Sequence, residues 1–322
     1  MTLDEIRDLV ADDLKAVDAC VAEQLASDVA LVGQVAHYLI HAGGKRLRPL
    51  LVLIAARACN SPADHHIPAA ALIEFIHTAT LLHDDVVDES SKRRGRDTAN
   101  EVFGNAASVL VGDFLYSRAF QMMVKLGSPR VMEVLADATN TIAEGEVQQL
   151  MNAHDPATTE ERYLEVIYRK TARLFEAGAQ IAGILAGVPA GTEAALVDYG
   201  RHVGTAFQLI DDYLDYRASP EALGKNLGDD LAEGKPTLPL IYALRTGTTA
   251  QQAMIRHSIE HGGLEHLGEI TRAIESTGGL LYTHSLARRE AAQALAALAA
   301  LPDSRYKTAL AGLAEFSVNR SH

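Results

Sequence analysis

The segment AALIEFIHTATLLHDDVV, residues 70–87, decides the fold class because its apolar residues recur at three- and four-residue spacing. The same spacing runs through VMEVLADATNTIAEGEVQQLMN, residues 131–152, and it is typical of long amphipathic helices. Segments with the two-residue alternation of β-strands are nearly absent, and abundant alanine and leucine favour helix. The sequence therefore predicts an all-α protein of about ten to thirteen helices, several longer than the average of about 11–12 residues.

The chain of 322 residues contains no recognisable linker. Its prolines are mostly isolated between helical patterns, where they punctuate helices. Length alone would suggest about two domains. Long helices with short connections and no change in composition instead predict one large helical bundle, a single domain over residues 1–322.

Composition limits the partners and the compartment. A net charge of −13 argues against nucleic acid as the main partner, because binding to phosphate backbones needs clustered cations. The two cysteines, Cys20 and Cys59, have neither metal-binding nor redox spacing, which indicates a reduced, cytoplasmic protein. The N-terminus is acidic and amphipathic, unlike a signal peptide. No apolar run approaches the ~20 residues of a transmembrane helix.

Two acidic clusters of identical spacing, D-D-x-x-D, follow apolar helical patterns. The first cluster is Asp84, Asp85 and Asp88, and the second cluster is Asp211, Asp212 and Asp215. Residues four apart share one face of a helix, and like charges placed there beside apolar neighbours need a compensating cation. Mg²⁺ takes oxygen ligands and is commonly bound by one or two carboxylates plus substrate phosphates. Two such clusters, each followed by basic residues, favour magnesium sites over a solvated acidic surface.

A basic segment, HAGGKRLRP, residues 41–49, places Lys45, Arg46 and Arg48 directly after two glycines. Glycine allows tight turns, and lysine and arginine both bind phosphate. The alternative is a basic cluster that is favoured by the dipole of a helix terminus. The segment is therefore a candidate anion site.

The motifs together resemble the trans-prenyl diphosphate synthases. Eight of them occur in the order of that family and cover nearly the whole chain: GGKRLRP, LLHDDVVDES, RRG, GDFLYSRAF, EGEVQQL, KTARLFEA, GTAFQLIDDYLDY and GKNLGDDLAEGKPTLPL. In that family two D-D-x-x-D motifs face each other across a deep central cavity of an all-α bundle and hold Mg²⁺ ions that bind an allylic diphosphate. The resemblance implies condensation of isopentenyl diphosphate with an allylic diphosphate, expected to be farnesyl diphosphate. It also implies more than one Mg²⁺ ion per active site and a homodimer.

The resemblance assigns each site residue a role. The residues expected to bind the metal are six aspartates: Asp84, Asp85, Asp88, Asp211, Asp212 and Asp215. Isopentenyl diphosphate binding falls on Lys45, Arg48, His77 and Arg94. Allylic diphosphate binding falls on Arg93, Lys170, Thr171, Gln208, Lys225 and Lys235. The residues expected to be catalytic are Asp84, Asp88, Asp211, Asp215, Lys170, Lys225 and Lys235.

Product length is expected to depend on residues next to the first cluster. Ala79 and Thr80 lie one turn before Asp84, where short-chain members of the family carry aromatic residues, so the resemblance implies a long all-trans product. That product is expected to be octaprenyl diphosphate, for the side chain of ubiquinone. The proposed chain-length residues are Ile76, Ala79, Thr80, Phe120, Met123 and Leu135, the last three as a floor. Alanine and threonine are also ordinary helix residues, which leaves a geranylgeranyl or farnesyl diphosphate synthase as the alternative.

Other functional classes remain open at this point. A terpene cyclase would be expected to carry a different second motif and would not use the basic set for a second diphosphate. A non-catalytic subunit of a heteromeric synthase would be expected to lack part of the acidic or basic sets. A helical scaffold protein with acidic surface clusters is the third alternative. Transient membrane contact during product release is the one membrane interaction that the enzyme hypothesis predicts.

Overall fold

The computed structural model describes residues 1–41, 43–62, 64–93, 95–217 and 228–320. The helices are α1 (Leu3–Leu9), α2 (Ala11–Gln24), α3 (Ala30–His41), α4 (Leu47–Ala58), α5 (His66–Val87), α6 (Ala99–Phe103), α7 (Asn105–Leu126), α8 (Pro129–Asn152), α9 (Glu160–Ile167), α10 (Arg173–Ala186), α11 (Ala190–Leu214), α12 (Asp229–Ala232), α13 (Leu238–Thr246), α14 (Thr249–His261), α15 (Leu267–Thr277), α16 (Gly279–Ala297) and α17 (Arg305–Asn319). A π-helix, Tyr168–Ala172, joins α9 to α10, and a 3₁₀-helix, Leu298–Ala300, follows α16. The all-α prediction is confirmed.

The described residues form more helices than the sequence predicted. The additional ones include short helices such as α6 and α12, which are too short to show a hydrophobic period. The strands found in these ranges are β1 (Lys92–Arg93) and β2 (Arg96–Asp97), an antiparallel pair directly after the first cluster. Gly95, with a φ of 75°, lies in the connection between them.

Helix boundaries follow local capping signals. The hydroxyl of Thr2 accepts a hydrogen bond from the backbone N–H of Glu5, and the Glu5 carboxylate accepts one from the backbone N–H of Thr2. This reciprocal capping box satisfies donors that the first turn of α1 would otherwise leave without partners. Thr159 caps α9 in a simpler way by accepting from the backbone N–H of Arg162. Pro129 begins α8, where its missing N–H costs nothing.

Helix α5 carries the first cluster and is anchored along its length. Its apolar face is fully buried at Leu72, Ile73 and Ile76. Near its C-terminal end, the hydroxyl of Ser108 on α7 donates to the backbone oxygen of Leu82 at 2.9 Å. Gly112 leaves room for the ring of His83, because a Cβ there would lie 2.3 Å from the ring nitrogen Nε2. Close packing on α7 therefore fixes the end of α5.

The chain divides into two compact units. The first unit comprises Met1–Thr139, Leu174–Gly200 and Ala297–Leu313, and it contains the first cluster and the basic segment. The second unit comprises Asn140–Arg173, Arg201–Ala296 and Ala314–His322, and it contains the second cluster. A single domain over residues 1–322 stays a prediction.

The C-terminal part of α11, which carries the second cluster, lies in a hydrophobic core of the second unit. The residues of α11 in this core are Ala206, Leu209, Ile210 and Leu214. They pack with apolar residues of α9, α13, α16 and α17, among them Ile167, Leu238, Leu286 and Val318. Across the described part of the chain, no helix combines the length and the apolar character needed to span a bilayer.

Candidate active site

The first cluster lies where α5 ends. Asp88 is the C-cap, and its backbone N–H donates to the oxygen of Asp84 at 2.8 Å. The side chains of Asp84 and Asp88 are partly exposed, whereas Asp85 is only 4% exposed. This difference agrees with the expectation that the outer aspartates share one face of the helix. Glu89 then turns the chain with a φ of 50°, a left-handed conformation that is uncommon for a residue with a side chain.

A partly buried ion pair holds the middle aspartate of this cluster. Arg93, on β1, donates from Nε to Oδ1 of Asp85 at 2.8 Å, and its terminal nitrogen lies 2.7 Å from the same oxygen. Burial raises the pKa of Asp85 above its ordinary value, and the positive charge of Arg93 opposes that rise. The structure thus places Arg93, a predicted allylic-site residue, against the first cluster. Arg94 lies outside the described residues.

The basic segment forms a turn followed by α4. Gly43 and Gly44 have φ values of 70° and 141°, so the predicted tight turn is confirmed. Arg46, at the N-cap of α4, also lies in the left-handed region with a φ of 47°, and it pairs with Asp18. The side chain of Arg7 donates to the backbone oxygen of Lys45 at 2.8 Å. These contacts fix the backbone at the predicted anion site.

Two predicted isopentenyl diphosphate residues contact each other. Nη1 of Arg48 lies 3.1 Å from Nε2 of His77, and the guanidinium lies over the ring of Phe175, 4.5 Å from its centroid. A guanidinium can only donate, so Nε2 of His77 accepts this hydrogen bond. His77 therefore orients an arginine instead of lying in a purely apolar core.

The second cluster lies at the end of α11 and has different neighbours. Arg320 forms an ion pair of 2.5 Å with Asp211. It also donates to the backbone oxygen of Phe207 at 2.6 Å, and its guanidinium stacks on the aromatic ring of Phe207. The Arg320 side chain is almost completely buried. Asp215 is fully buried directly after the helix. A cation from near the end of the chain thus compensates the first aspartate of this cluster.

Asp212, the middle aspartate, is surrounded by neutral donors. The hydroxyl of Tyr163 donates to one carboxylate oxygen, and Nε2 of Gln208 donates to the other at 2.8 Å. The hydroxyl of Thr171 in turn donates to Oε1 of Gln208 at 2.9 Å. Burial raises the pKa of Asp212 to about 7, and the negative charge of Asp230 adds to the rise. The two neutral hydrogen bonds oppose that rise only in part.

Lys170 and Thr171 belong to the π-helix Tyr168–Ala172, a local widening that is frequent at functional sites. Nζ of Lys170 donates to the side chains of Glu146 and Gln149 on α8, at 2.6 Å each. Gly145 allows this approach, because a Cβ there would lie 2.9 Å from the backbone nitrogen of Lys170. The ammonium group of Lys170 is therefore held in place by α8.

Lys235 follows α12 and pairs with Glu233. Its backbone N–H donates to the oxygen of Asp230 at 2.8 Å. The preceding residue, Gly234, accepts a hydrogen bond of 2.9 Å from the backbone N–H of His154. Lys225, predicted to act with Lys235, lies outside the described residues.

One cavity of the second unit brings five predicted allylic or metal residues together. They are Lys170, Thr171, Gln208, Asp212 and Lys235. Tyr163, Gln149 and Asp230 also line it, although sequence reasoning gave them no role. Glu146 and Gln149 lie within the EGEVQQL motif, which could have pointed to them. No local signal marks Tyr163 or Arg320.

The predicted chain-length residues occupy different surroundings. Ile76 and Ala79 are fully buried on α5, and Thr80 donates from its hydroxyl to the backbone oxygen of His77 at 2.8 Å. Met123 and Leu135 are buried in the first unit. Phe120 is 42% exposed on α7. A separate cavity next to Asp85 is lined on α5 by Phe75, Thr78, Leu81 and Leu82 and not by Ala79.

The sequence is similar to known proteins along nearly its whole length. The sequence model of the polyprenyl synthetase family matches residues 29–277. The chain belongs to the polyprenyl synthetase family. The octaprenyl diphosphate synthase of Escherichia coli (strain K12) is 58% identical over 321 residues, which cover 99% of both chains. That of Haemophilus influenzae is 54% identical over 323 residues, covering 100% of this chain and 98% of the relative.

A solved polyprenyl synthetase has the same fold. The polyprenyl synthase from Caulobacter crescentus CB15, complexed with calcium and isoprenyl diphosphate, matches with a TM-score of 0.97 and 44% identity. The match covers 100% of this chain and 98% of that one. The expected trans-prenyl diphosphate synthase family is thereby confirmed, and the chain is a prenyltransferase. The terpene cyclase and scaffold alternatives are set aside.

Proposed function

We propose that this polyprenyl synthetase adds isopentenyl diphosphate units to farnesyl diphosphate until octaprenyl diphosphate is made, for the side chain of ubiquinone. The observation that carries the proposal is the 58% identity with an octaprenyl diphosphate synthase along the whole chain. Both acidic clusters and the basic segment are complete in the sequence, which favours an active enzyme over a non-catalytic subunit.

The donor set fits Mg²⁺, the cation that we propose for this enzyme. Carboxylate oxygens are hard ligands, and Mg²⁺ usually keeps waters and shares its coordination with substrate phosphates. Among the described residues, no group of three or more acidic, histidine or cysteine side chains is arranged to hold a metal without further ligands. We propose Asp84, Asp88, Asp211 and Asp215 as the principal ligands. Asp85 and Asp212, the middle aspartates of the two clusters, would support them.

The bound metal would neutralise the charge that develops on the pyrophosphate leaving group. Arg93, Lys170 and Lys235 would bind the allylic diphosphate, with Thr171, Gln208 and Lys225. Lys45 and Arg48 would bind isopentenyl diphosphate, with His77 and Arg94. When the carbon–oxygen bond of the allylic substrate breaks, an allylic cation and pyrophosphate form. The double bond of isopentenyl diphosphate attacks that cation, and the departed pyrophosphate takes the proton that is lost.

The length of the product would be limited by the wall beside the first cluster. Ala79 is fully buried on α5 and contributes only a methyl group there. Two bulky residues of the proposed floor, Met123 and Leu135, are buried in the same unit. This arrangement supports a long product. A geranylgeranyl or farnesyl diphosphate synthase is the alternative that product analysis would decide.

We also propose that the enzyme is a homodimer. Helix α7 exposes apolar side chains in the first unit, among them Leu110, Phe120 and Val124. Exposed apolar groups that recur on one helix favour a protein or membrane contact. Transient membrane contact during product release and a cytoplasmic location remain predictions, the latter supported by two free cysteines.

Ligand-dependent stabilisation tests the proposed function. Farnesyl diphosphate with Mg²⁺ should raise the melting temperature, because a ligand that binds only the folded state stabilises it. Farnesyl diphosphate with EDTA should have a much smaller effect. Farnesol, which lacks the diphosphate, is the matched control. Equal melting temperatures under all three conditions would contradict the proposed substrate and metal.

A further inference from the structure

A buried chain of hydrogen bonds in the second unit begins at a residue outside the predicted site. Tyr163, on α9, is 5% exposed, and its hydroxyl donates to Asp212. The chain continues from Asp212 to the amide of Gln208 and ends at the hydroxyl of Thr171. All four side chains line the cavity that also contains Lys170 and Lys235.

The chemistry of these groups gives the chain a direction. Each carboxylate oxygen of Asp212 accepts a hydrogen bond from a neighbouring side chain. Tyr163 supplies one donor, and the amide nitrogen of Gln208 supplies the other. Because that nitrogen faces Asp212, the amide oxygen of Gln208 faces Thr171 and accepts its hydroxyl hydrogen. The orientation of Gln208 and Thr171 thus depends on the orientation of Asp212.

Tyr163 donates a hydrogen bond to Asp212 at a buried position. Asp212 is 3% exposed, so loss of a donor would not be replaced readily by bulk water. Both of its hydrogen-bond donors are neutral, unlike the arginine that holds Asp85. Without the Tyr163 hydroxyl, the carboxylate of Asp212 would be free to turn towards Gln208. That rotation would change how the amide of Gln208 and the hydroxyl of Thr171 are presented to a ligand.

We propose that Tyr163 is a positioning residue for the allylic diphosphate, acting through Asp212 to fix the amide of Gln208 and the hydroxyl of Thr171. This proposal rests on the proposed function, which gives those two residues their ligand. Tyr163 itself touches no reacting atom in this scheme. Its removal should therefore weaken one substrate selectively and not abolish activity.

The direct test is Tyr163→Phe, which removes only the hydroxyl. Binding of farnesyl diphosphate with Mg²⁺, measured by calorimetry without isopentenyl diphosphate, should weaken about tenfold, the effect of one buried hydrogen bond. The KM for isopentenyl diphosphate should stay within about twofold of wild type, since no residue of that set belongs to the chain. Equal weakening of both substrates would overturn the proposal.

Tyr199→Phe is the matched control. Tyr199 is also fully buried, and its hydroxyl donates to the backbone oxygen of Leu310 at 2.7 Å in the first unit. Both variants lose one buried hydrogen bond, so their melting temperatures should fall by similar amounts. Only Tyr163→Phe should weaken farnesyl diphosphate. The same weakening in Tyr199→Phe would show that general destabilisation is the cause and would overturn the proposal.

A double-mutant cycle separates positioning from packing. In a Gln208→Ala background the chain is already broken, so Tyr163→Phe should weaken farnesyl diphosphate little further. Fully additive losses would contradict the route through Gln208. If Tyr163→Phe does not fold, Asp212→Asn is the second variant. Its amide nitrogen would face one of the two hydrogen-bond donors, Tyr163 or Gln208, so the chain would be broken at its centre. Wild-type affinity in that variant would overturn the proposal.

Failure of this inference is distinguishable from failure of the proposed function. If the wild-type protein neither binds farnesyl diphosphate with Mg²⁺ nor elongates it, the proposed function is wrong and the role of Tyr163 with it. If the wild-type protein does both, and Tyr163→Phe binds farnesyl diphosphate as tightly as Tyr199→Phe does, only the positioning role is wrong.

Discussion

The two acidic clusters share one spacing but are compensated differently. In the first, the middle aspartate, Asp85, is buried and forms an ion pair with the partly exposed Arg93. In the second, the middle aspartate, Asp212, accepts hydrogen bonds from two neutral side chains among the described residues, and the cation, Arg320, pairs with Asp211. Both helices end at their cluster, so local structure is not the source of the difference.

The shared D-D-x-x-D spacing therefore fixes the positions of the carboxylates along the chain but not the charges and hydrogen bonds around them. Burial raises the pKa of both middle aspartates. A nearby guanidinium opposes the rise at Asp85, whereas the two hydrogen bonds that oppose it at Asp212 come from the neutral side chains of Tyr163 and Gln208, and the pKa of Asp212 is about 7. Arg93 therefore favours the charged form of Asp85, whereas Asp212 has a pKa near neutral pH.

The largest expected effect tests what the two clusters have in common. Asp84→Ala and Asp211→Ala should each lower turnover by at least about 10²-fold, because each removes a proposed ligand of a metal that stabilises developing charge. Steady-state kinetics at saturating Mg²⁺ would measure this. Asp28→Ala, at an exposed position on the surface, is the control and should be silent. Turnover within a few-fold of wild type in either cluster variant would contradict the metal assignment.

The next effect addresses the basic residues beside the first cluster. Arg93→Ala should raise the KM for the allylic substrate about tenfold and change the KM for isopentenyl diphosphate less. Only the allylic diphosphate would lose a charged hydrogen bond, because Arg93 is proposed to bind that substrate alone. Arg94→Ala should show the reverse. Arg130→Ala is the control, because Arg130 forms a similar ion pair with Glu193 in the same unit. Equal effects on both substrates would refute the division of roles.

A third effect concerns the wall below the first cluster. Ala79→Tyr should shorten the product while the first condensations continue, because a ring would fill the space that alanine leaves. Overpacking typically costs about 1–3 kcal/mol, which a core of this size should tolerate. Met123→Ala or Leu135→Ala should instead lengthen the product. The measurement is the chain-length distribution of dephosphorylated products.

Ala79→Ser is the matched control, since it adds only a hydroxyl at the same position and should keep the long product. If Ala79→Tyr makes the wild-type product at the normal rate, the growing chain does not pass this residue. The cavity lined by Phe75 and Leu82 would then be the next candidate for its route.

The smallest effect isolates the electrostatic difference between the clusters. The pKa of Asp212 is about 7 in the folded protein against an ordinary value of 3.8. Between about pH 4 and pH 7, the folded state therefore keeps a proton that the unfolded state has released. Its contribution to stability is complete below about pH 4 and is lost as the pH rises through about 7. Melting temperatures without Mg²⁺ should fall less steeply over this range in Asp212→Asn than in wild type. Parallel curves would contradict the raised pKa.

Local patterns predicted much of the fold and both residues of several contacts of the site, among them the pair of Asp85 with Arg93 and that of Arg48 with His77. Apolar periodicity was sufficient for α5 and α8, and D-D-x-x-D with the basic segment located the charged groups. The partners of the second cluster could not be predicted in the same way. Arg320 reaches Asp211, and Tyr163 reaches Asp212, through tertiary packing that no local spacing encodes. The π-helix at Lys170 likewise depends on close approach to Gly145 of another helix.

The most direct test of the whole account is chromatography of the products made from farnesyl diphosphate, isopentenyl diphosphate and Mg²⁺. Octaprenyl diphosphate should be the main product of the wild-type protein, and chelation of the metal should stop its formation. A main product no longer than geranylgeranyl diphosphate would contradict the assigned product length. No elongation at all, by folded protein with Mg²⁺ present, would contradict the proposed function itself.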